Sequence, residues 1–346
     1  MKNLNALLKE EKARFFLDNP HKIKELSEQA KRAVLYSCGY YDDEFFAKVI
    51  CYRWTRDKAT GEPIKTPDFH KEIWELVDSG KDILVIVPRD HAKTTGVSKI
   101  KTLKRLLYKQ EKSILLIAPK GLGEEIIGDI RRELEENPIL RFTFGDLVPM
   151  NNRKTDKTSK WRQRELQLMN GTEIKTITKG ESVRGKRPTL VLIDDPQENK
   201  DVKNPALAEE FNNWIWTSVY NTLDPTGRMV VLGTMLSDNC FVNHLKQSAE
   251  DRGFSLVEYR AIIWDEGKDL SKETLDLWFK HGKPLWEEKW SMEALAERRN
   301  KIGDREFLQE YMNQAQVLNG SPVFDPKIKF KIIEPIREQL GIKWFK

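Results

Sequence analysis

Lys93, Thr94 and the acidic pair Asp194-Asp195 are the residues of this sequence whose types could together handle a phosphoryl group. A lysine ammonium can reach the β- and γ-phosphates of a nucleoside triphosphate, and the adjoining hydroxyl can hold Mg²⁺. One carboxylate at a strand end completes the metal's shell, and its neighbour polarises an attacking water. Lys93 and Thr94 lie in the run Pro88-Arg89-Asp90-His91-Ala92-Lys93-Thr94-Thr95. Ahead of it, Ile83 to Val87 is a continuous apolar, β-branched run that reads as a strand buried on both faces. Behind it, Thr95 to Tyr108 reads as helix. Strand, tight loop, Lys-Thr and helix is the layout of a phosphate-binding loop, whose backbone N–H groups and helix N-terminus attract phosphate oxygens. The usual loop has glycines at its first position and before the lysine; here Ala92 takes the second glycine's place. A basic turn between strand and helix is the competing reading.

The acids sit at a matching place. Thr189 to Ile193 reads as another buried strand, and it delivers Asp194 and Asp195 at its C-terminal end, as a Walker B strand does opposite a Walker A loop. The strands ending near Pro88 and Ile193 are expected to lie side by side. Met229 to Leu232 is a further apolar strand leading into Gly233-Thr234, where a small polar residue could sense the γ-phosphate. Ser237 or Asp238 is the expected cap of the helix that follows. Arg184, Lys186 and Arg187 lie just ahead of the acidic strand and could neutralise charge on the transferred group.

The remaining elements frame that site. Residues 1–66 read as an α-helical N-terminal segment ending in a polar loop. Asp68 is a plausible cap for a helix to about Val77. Phe69 or a neighbour in that turn could stack on adenine, with a plain core helix as the equal alternative. Ser113 to Ala118 is a buried strand and Leu122 to Glu136 a helix ended by Asn137-Pro138. This alternation argues for a parallel sheet with helical crossovers, so residues 67–263 form the α/β core. Asn170-Gly171 between Glu165–Met169 and Thr172–Ile177 signals a hairpin with both turn residues at positive φ, added to the sheet edge. Phe254 to Ile263 reads as one more strand. Residues 264–320 read as a small helical subdomain, and 321–346 as the start of a linker.

The chain has 346 residues, 33% of them charged, and carries a net charge of +5. No apolar run is long enough to span a bilayer. Cys38, Cys51 and Cys240 are too widely spaced to suggest a zinc site or a disulfide frame, which fits a reducing, cytoplasmic setting. Asn151 to Arg164 gathers Arg153, Lys154, Lys157, Lys160, Arg162 and Arg164 around Trp161; it is either a solvated loop or a contact for nucleic-acid phosphates.

The ordered set Phe69-His70, Pro88–Thr95, Val183–Pro188, Leu190–Asp195 and Gly233-Thr234 resembles the ATPase half of viral, tailed-phage type large terminase subunits. Pro284–Trp290 and Arg305–Tyr311 look like the stretch joining that ATPase to a nuclease domain. The resemblance covers about Pro67 to Phe324. It implies an ASCE-type P-loop NTPase fold with a mainly parallel sheet, flanking helices and a small helical lid. It also implies an ATP-hydrolysing motor, using ATP and Mg²⁺, that pushes double-stranded DNA into a procapsid. The implied partners are a portal protein, a small terminase subunit and further copies of the chain in a ring, in the host cytoplasm and not on a membrane. By the same resemblance, Arg89 is the loop arginine, and Arg184, with Arg187 second, is a finger offered to a neighbouring subunit. Arg89, Asp90, His91, Ala92, Lys93, Thr94, Thr95, Phe69, His70 and Thr234 would contact nucleotide, and Thr94 and Asp194 the metal. Asp195 stands where the family usually carries glutamate, so Glu198 is an alternative base. Too little chain follows Phe324 for a nuclease, so none is expected here. A helicase-like DNA-dependent ATPase and a nucleotide-binding assembly protein without turnover are the alternatives.

Overall fold

The computed structural model describes residues 4–57, 59–149, 160–183, 185, 187–267 and 269–315. The apolar runs form strands as their patterning requires. In chain order these are β1 (Ile83–Ile86), β2 (Ser113–Ile117), β3 (Trp161–Arg162), β4 (Glu165–Gln167), β5 (Glu173–Ile177), β6 (Leu190–Asp194), β7 (Arg228–Gly233) and β8 (Ser255–Glu258). They build one eight-stranded sheet in the order β3-β4-β5-β2-β6-β7-β1-β8. Every pairing from β5 to β8 is parallel, and only β4 runs against the rest, pairing antiparallel with both β3 and β5 near one edge. Successive residues of each strand face opposite sides. Val85, Leu116, Leu192 and Val230 therefore enter one core, and Ile86, Leu115, Ile193 and Val231 the other.

One expectation is corrected by this order. β1 and β6 are not neighbours, because β7 is inserted between them. β7 is buried from Met229 to Gly233 and needs a ladder on both sides to satisfy its backbone. The register nevertheless keeps the three C-terminal ends level: Asp194 pairs with Leu232, and Leu232 with Val85. The loop from Pro88 to Thr95, Thr234 and the acidic pair thus leave one rim of the sheet, the place where open α/β sheets bind ligands.

The hairpin turns as expected in place but not in detail. Gly171 has φ of 91° and Asn170 is not at positive φ. Asn170 instead spends its side chain on the Leu106 carbonyl at 2.9 Å and on the N–H of Thr172 at 3.1 Å. Helix starts also differ. Pro67, not Asp68, is at the cap of the helix Asp68–Asp78. The helix Phe241–Gln247 is capped by the Cys240 sulfur, not by Ser237 or Asp238. Asn137-Pro138 ends one helix and also opens the next, Pro138–Phe144, with Asn137 as its cap. The expected strand from Phe254 to Ile263 divides into β8 and a short β9 (Ile262–Ile263), which pairs antiparallel with β10 (Lys283–Pro284).

Two further cores stand beside the sheet. Ala13, Phe16, Val34, Leu35 and Phe45 pack together in the N-terminal helical segment. Ile262, Trp278, Trp290, Leu295 and Phe307 pack together among the helices Leu275–His281, Met292–Ile302 and Asp304–Glu310. The N-terminal segment is also tied by charge to the helix that follows the loop after β1. Lys101, 1% exposed, bonds Asp43 at 2.6 Å and Asp78 at 2.5 Å, and Arg105 bonds Asp78 and Glu111. Such buried cations are tolerable only with partners in place.

Candidate nucleotide site

The loop between β1 and the helix turns sharply without glycine. Asp90 and Ala92 take φ of 63° and 57°, the left-handed region in which a Cβ is crowded. Ala92 thus adopts the conformation that the missing glycine would have adopted at no steric cost. Valine at position 92 is expected to lower stability by roughly 2 kcal/mol, because a β-branched residue fits positive φ worst. Glycine should stay within about 1 kcal/mol of wild type, since relief of strain is offset by a freer unfolded chain. Urea unfolding of both variants reads this; equal stability of the two would remove strain from the account.

From this loop the chain enters a helix whose first stretch, Thr94–Lys101, is π-wound before Thr102–Leu107 returns to α. π turns of this kind often mark functional segments. Lys93, 7% exposed, donates from Nζ to Asp195 Oδ2 at 2.7 Å and to Thr234 Oγ1 at 3.0 Å. Asp195 is itself at φ of 41°, and its Oδ1 accepts the Thr234 N–H at 3.1 Å. Asp194 is fully buried and accepts the Ser98 hydroxyl on Oδ2 at 2.6 Å. Burial, then the charge of Asp195, lifts the Asp194 carboxyl from 3.8 to about 6, against the pull of Lys93 and of the Ser98 and Thr94 hydroxyls. Asp194 Oδ1 has no hydrogen-bond partner.

Above these groups lies a cavity of about 400 Å³. Arg89, Asp90 and Ala92 to Thr95 line it from the loop, Asp195 from just past β6, Arg298 from the helix Met292–Ile302 and Tyr311 from the end of the helix Asp304–Glu310. Larger clefts of about 910 and 700 Å³ lie against the N-terminal helices, but neither gathers an ammonium, a hydroxyl and two acids. An orphaned buried carboxylate oxygen beside a hydroxyl at a helix start suits Mg²⁺, which keeps several waters and takes only one or two protein oxygens. No cluster of three acidic, histidine or cysteine ligands exists among the described residues, so an all-protein metal cage is not the model for this site.

The structure separates the other sequence candidates. Phe69 and His70 are buried behind the loop and do not line the cavity. Phe69 packs on His70, Tyr259 and Trp286. His70 Nε2 donates to the His91 carbonyl at 2.9 Å, and His91 Nδ1 donates to the Arg89 carbonyl at 2.9 Å. Burial pushes both imidazoles down to about 4, so both are neutral braces that hold the loop from within. His91 is fully buried and does not line the cavity. Glu198 is exposed, pairs with Lys200 at 2.8 Å and does not line the cavity. Arg89 reaches the helix Asp304–Glu310: its backbone N–H donates to the Glu310 carbonyl at 2.7 Å and its guanidinium meets the Glu310 carboxylate at 3.3 Å. Arg184, Lys186, residues 151–159 of the basic run and the chain after 315 lie outside the described residues. Of the rest of that run, Lys160 pairs with Glu173 and Arg164 with Glu181.

Sequence reasoning missed Ser98, Arg298 and Tyr311. Ser98 was within reach, since four residues beyond Thr94 is the same helix face. The other two lie about two hundred residues from the loop, with no local signal.

Neither a protein-family model nor a curated protein matches the sequence. The fold is similar to that of the HK97 bacteriophage large terminase, with a TM-score of 0.51 and 16% identity over 80% of this chain and 56% of that one. The large terminase ATPase domain of Thermus phage P74-26 aligns at 0.46 and 16% identity, over 73% of this chain and 95% of that one. A large terminase from a thermophilic bacteriophage, in complex with ADP, aligns at 0.41 and 8% identity, over 73% of this chain and 54% of that one. The chain spans little more than half the length of the HK97 protein. The likeness to the HK97 protein is one of fold, and it agrees with the resemblance carried by the ordered motifs.

Proposed function

We propose, on the premise of a fold shared with the HK97 large terminase, that this chain is the ATPase part of a viral DNA-packaging motor. It hydrolyses ATP and uses the cycle to move double-stranded DNA into a procapsid. The observation that carries this reading is the meeting of Lys93, Thr234 and Asp195 over a buried Asp194 at one rim of a parallel sheet.

Lys93 begins the cycle bound to Asp195 and Thr234. The negative charge of a β- and γ-phosphate competes for the ammonium, and its transfer leaves the Asp195 carboxylate free. That carboxylate takes a proton from water as the water oxygen bonds the γ-phosphorus and the bond to the β–γ bridging oxygen breaks, its electron pair leaving with ADP. Asp195, not Glu198, holds the base position, since Glu198 is turned to Lys200. Mg²⁺, held by the Thr94 hydroxyl and through its shell by Asp194, would neutralise charge on the β- and γ-phosphates. Thr234 touches both Lys93 and Asp195, so it can pass the state of the nucleotide to β7. Arg184 acts in trans in a ring of copies that also meets a portal protein and a small terminase subunit in the host cytoplasm.

ATP turnover with and without duplex DNA tests the reading. DNA should raise the rate, and DNA affinity should fall steeply with salt but not with base sequence, as phosphate contacts require. ATP bound without turnover, in the presence of DNA, favours an assembly protein instead. Salt-insensitive DNA binding rejects translocation.

A further inference from the structure

Three cations of the chain face the 400 Å³ cavity together with Lys93: Arg89, Lys99 and Arg298. Two are committed elsewhere. Arg89 is paired with Glu310 at 3.3 Å, and Lys99 with Asp129 at 2.7 Å and Glu125 at 3.0 Å. Arg298 is exposed and has no carboxylate at ion-pair distance among the described residues. Its neighbour Arg299 shows the contrast, being held by Asp276 and Asp304 at 2.6 Å each. Arg298 is instead laid over the Trp290 ring, with its guanidinium carbon 5.3 Å from the centroid. That ring is fixed to the phosphate loop. Trp290 Nε1 donates to the Asp90 carbonyl at 3.4 Å, and Lys289 Nζ donates to the same carbonyl at 2.5 Å and to the Asp90 carboxylate at 3.0 Å. A guanidinium without an anion is thus positioned by the segment that grips the loop. It lines the same cavity as Lys93 and Asp195.

We propose that Arg298 contacts the γ-phosphate of a nucleoside triphosphate bound in its own chain. It serves as a cis-acting catalytic arginine distinct from any finger supplied by a neighbouring subunit. This rests on the nucleotide reading given above. When water bonds the γ-phosphorus and the bridging P–O bond breaks, negative charge shifts over the γ-oxygens and onto the leaving ADP. The proton goes to Asp195, and no further reactant is needed. A planar guanidinium matches two such oxygens at once and cannot lose its charge. Because the contact is to the γ-phosphate, Arg298 distinguishes ATP from ADP. Because it is carried on the helix Met292–Ile302, the loss of that phosphate frees the lid from the nucleotide.

The test uses Arg298→Ala and Arg298→Lys of the full chain, with ATP and ADP affinity measured by calorimetry beside turnover. In the alanine variant, kcat should fall about 10²- to 10³-fold, and ATP affinity about tenfold, while ADP affinity stays within twofold. Lysine should restore part of the ATP affinity and little of kcat. Mixing the alanine variant with Lys93→Ala chains should not recover activity, because each chain needs its own Arg298. Recovery in the mixture overturns the cis assignment. Equal losses for ATP and ADP, or kcat within threefold of wild type, overturn the γ-phosphate contact. A wild-type chain that binds neither nucleotide fails at the earlier step, and that result is seen before any variant is compared.

Discussion

Replacing Lys93 by alanine should lower ATP turnover by about 10³-fold or more, because the group it removes is the one preorganised charge beneath the loop. The ammonium is buried and already aimed, at 2.7 Å from Asp195 and 3.0 Å from Thr234, so nothing else can take its place. Arg89 is held by Glu310 and its side chain is largely exposed. The same change should reduce stability at neutral pH. It leaves Asp194 and Asp195 adjacent with no cation between them, and Lys93 is one of the groups holding the Asp194 carboxyl down. A loss of about 1–3 kcal/mol is expected, below the 3–5 of a fully buried pair because Asp195 is partly in water. That loss should shrink as the pH is lowered toward 5, where the carboxyl takes up its proton. Lys93→Arg separates the two effects: charge is kept, so stability largely returns, but the larger head cannot sit between Asp195 and Thr234, so turnover does not. Turnover by the alanine variant within tenfold of wild type would remove the phosphate-loop reading.

The parts of this site that could be read from sequence are those whose signal is local. A β-branched run, a tight turn and Lys93-Thr94 at a helix start state their chemistry within about fifteen residues. The run Leu190 to Ile193 followed by two acids does the same. What brings the two together is strand order, and no window of sequence contains it. The motifs alone suggest that β1 and β6 are adjacent, and nothing in them announces β7 between the two. The outcome at the rim is the same because the register keeps Asp194 level with Val85. The absent glycine weakened the loop's signal in sequence, yet the backbone still takes the left-handed turn at Ala92. The chain's conformation is imposed there by what surrounds it, including the His70 and His91 braces.

Orientation was the other blind spot. Phe69 and His70 stand at the right distance before the loop, and an aromatic pair there suits a nucleotide base as well as it suits a core. Burial decides between them, and only the fold supplies it: both are on the inner side, packed on Tyr259 and Trp286. Asn137-Pro138 and Asn204-Pro205 carried a legible signal that can be read two ways. Proline stops a preceding helix, but after an asparagine cap it also occupies the first turn of a new one, and here it does so twice. The place of the C-terminal helices beside the cavity had no local sign at all. Arg298 is one of many exposed arginines until Trp290 and Lys289 are seen to grip Asp90.

Asp194→Asn should abolish turnover and stabilise the folded chain at neutral pH, a pair of effects that a merely structural carboxylate would not give. The side chain is fully buried, and its carboxyl is lifted from 3.8 to about 6 by burial and by Asp195. Between those values the folded state holds a proton that the unfolded state has lost. Wild-type stability from this group is therefore greatest at low pH and is lost as the pH rises through the folded value of about 6. Above that, the charged form costs on the order of 3 kcal/mol, at about 1.4 kcal/mol for each pH unit of displacement. Asparagine keeps the shape, can accept the Ser98 hydroxyl, and exchanges one unpartnered atom for another, so most of that cost is relieved. The variant should be more stable by roughly 2 kcal/mol at about pH 7.5, with the gap closing as the pH falls through 6 and nearly gone at about 4. His70 and His91 act in the opposite sense: held near 4, they destabilise both proteins as the pH falls below 6.5, so they cancel when the two curves are subtracted. Denaturant unfolding of the pair across roughly pH 4–8 measures the difference directly. A variant less stable than wild type at neutral pH would mean that the buried charge is compensated by the protein itself, and the orphaned Asp194 oxygen would then no longer argue for a metal's hydration shell.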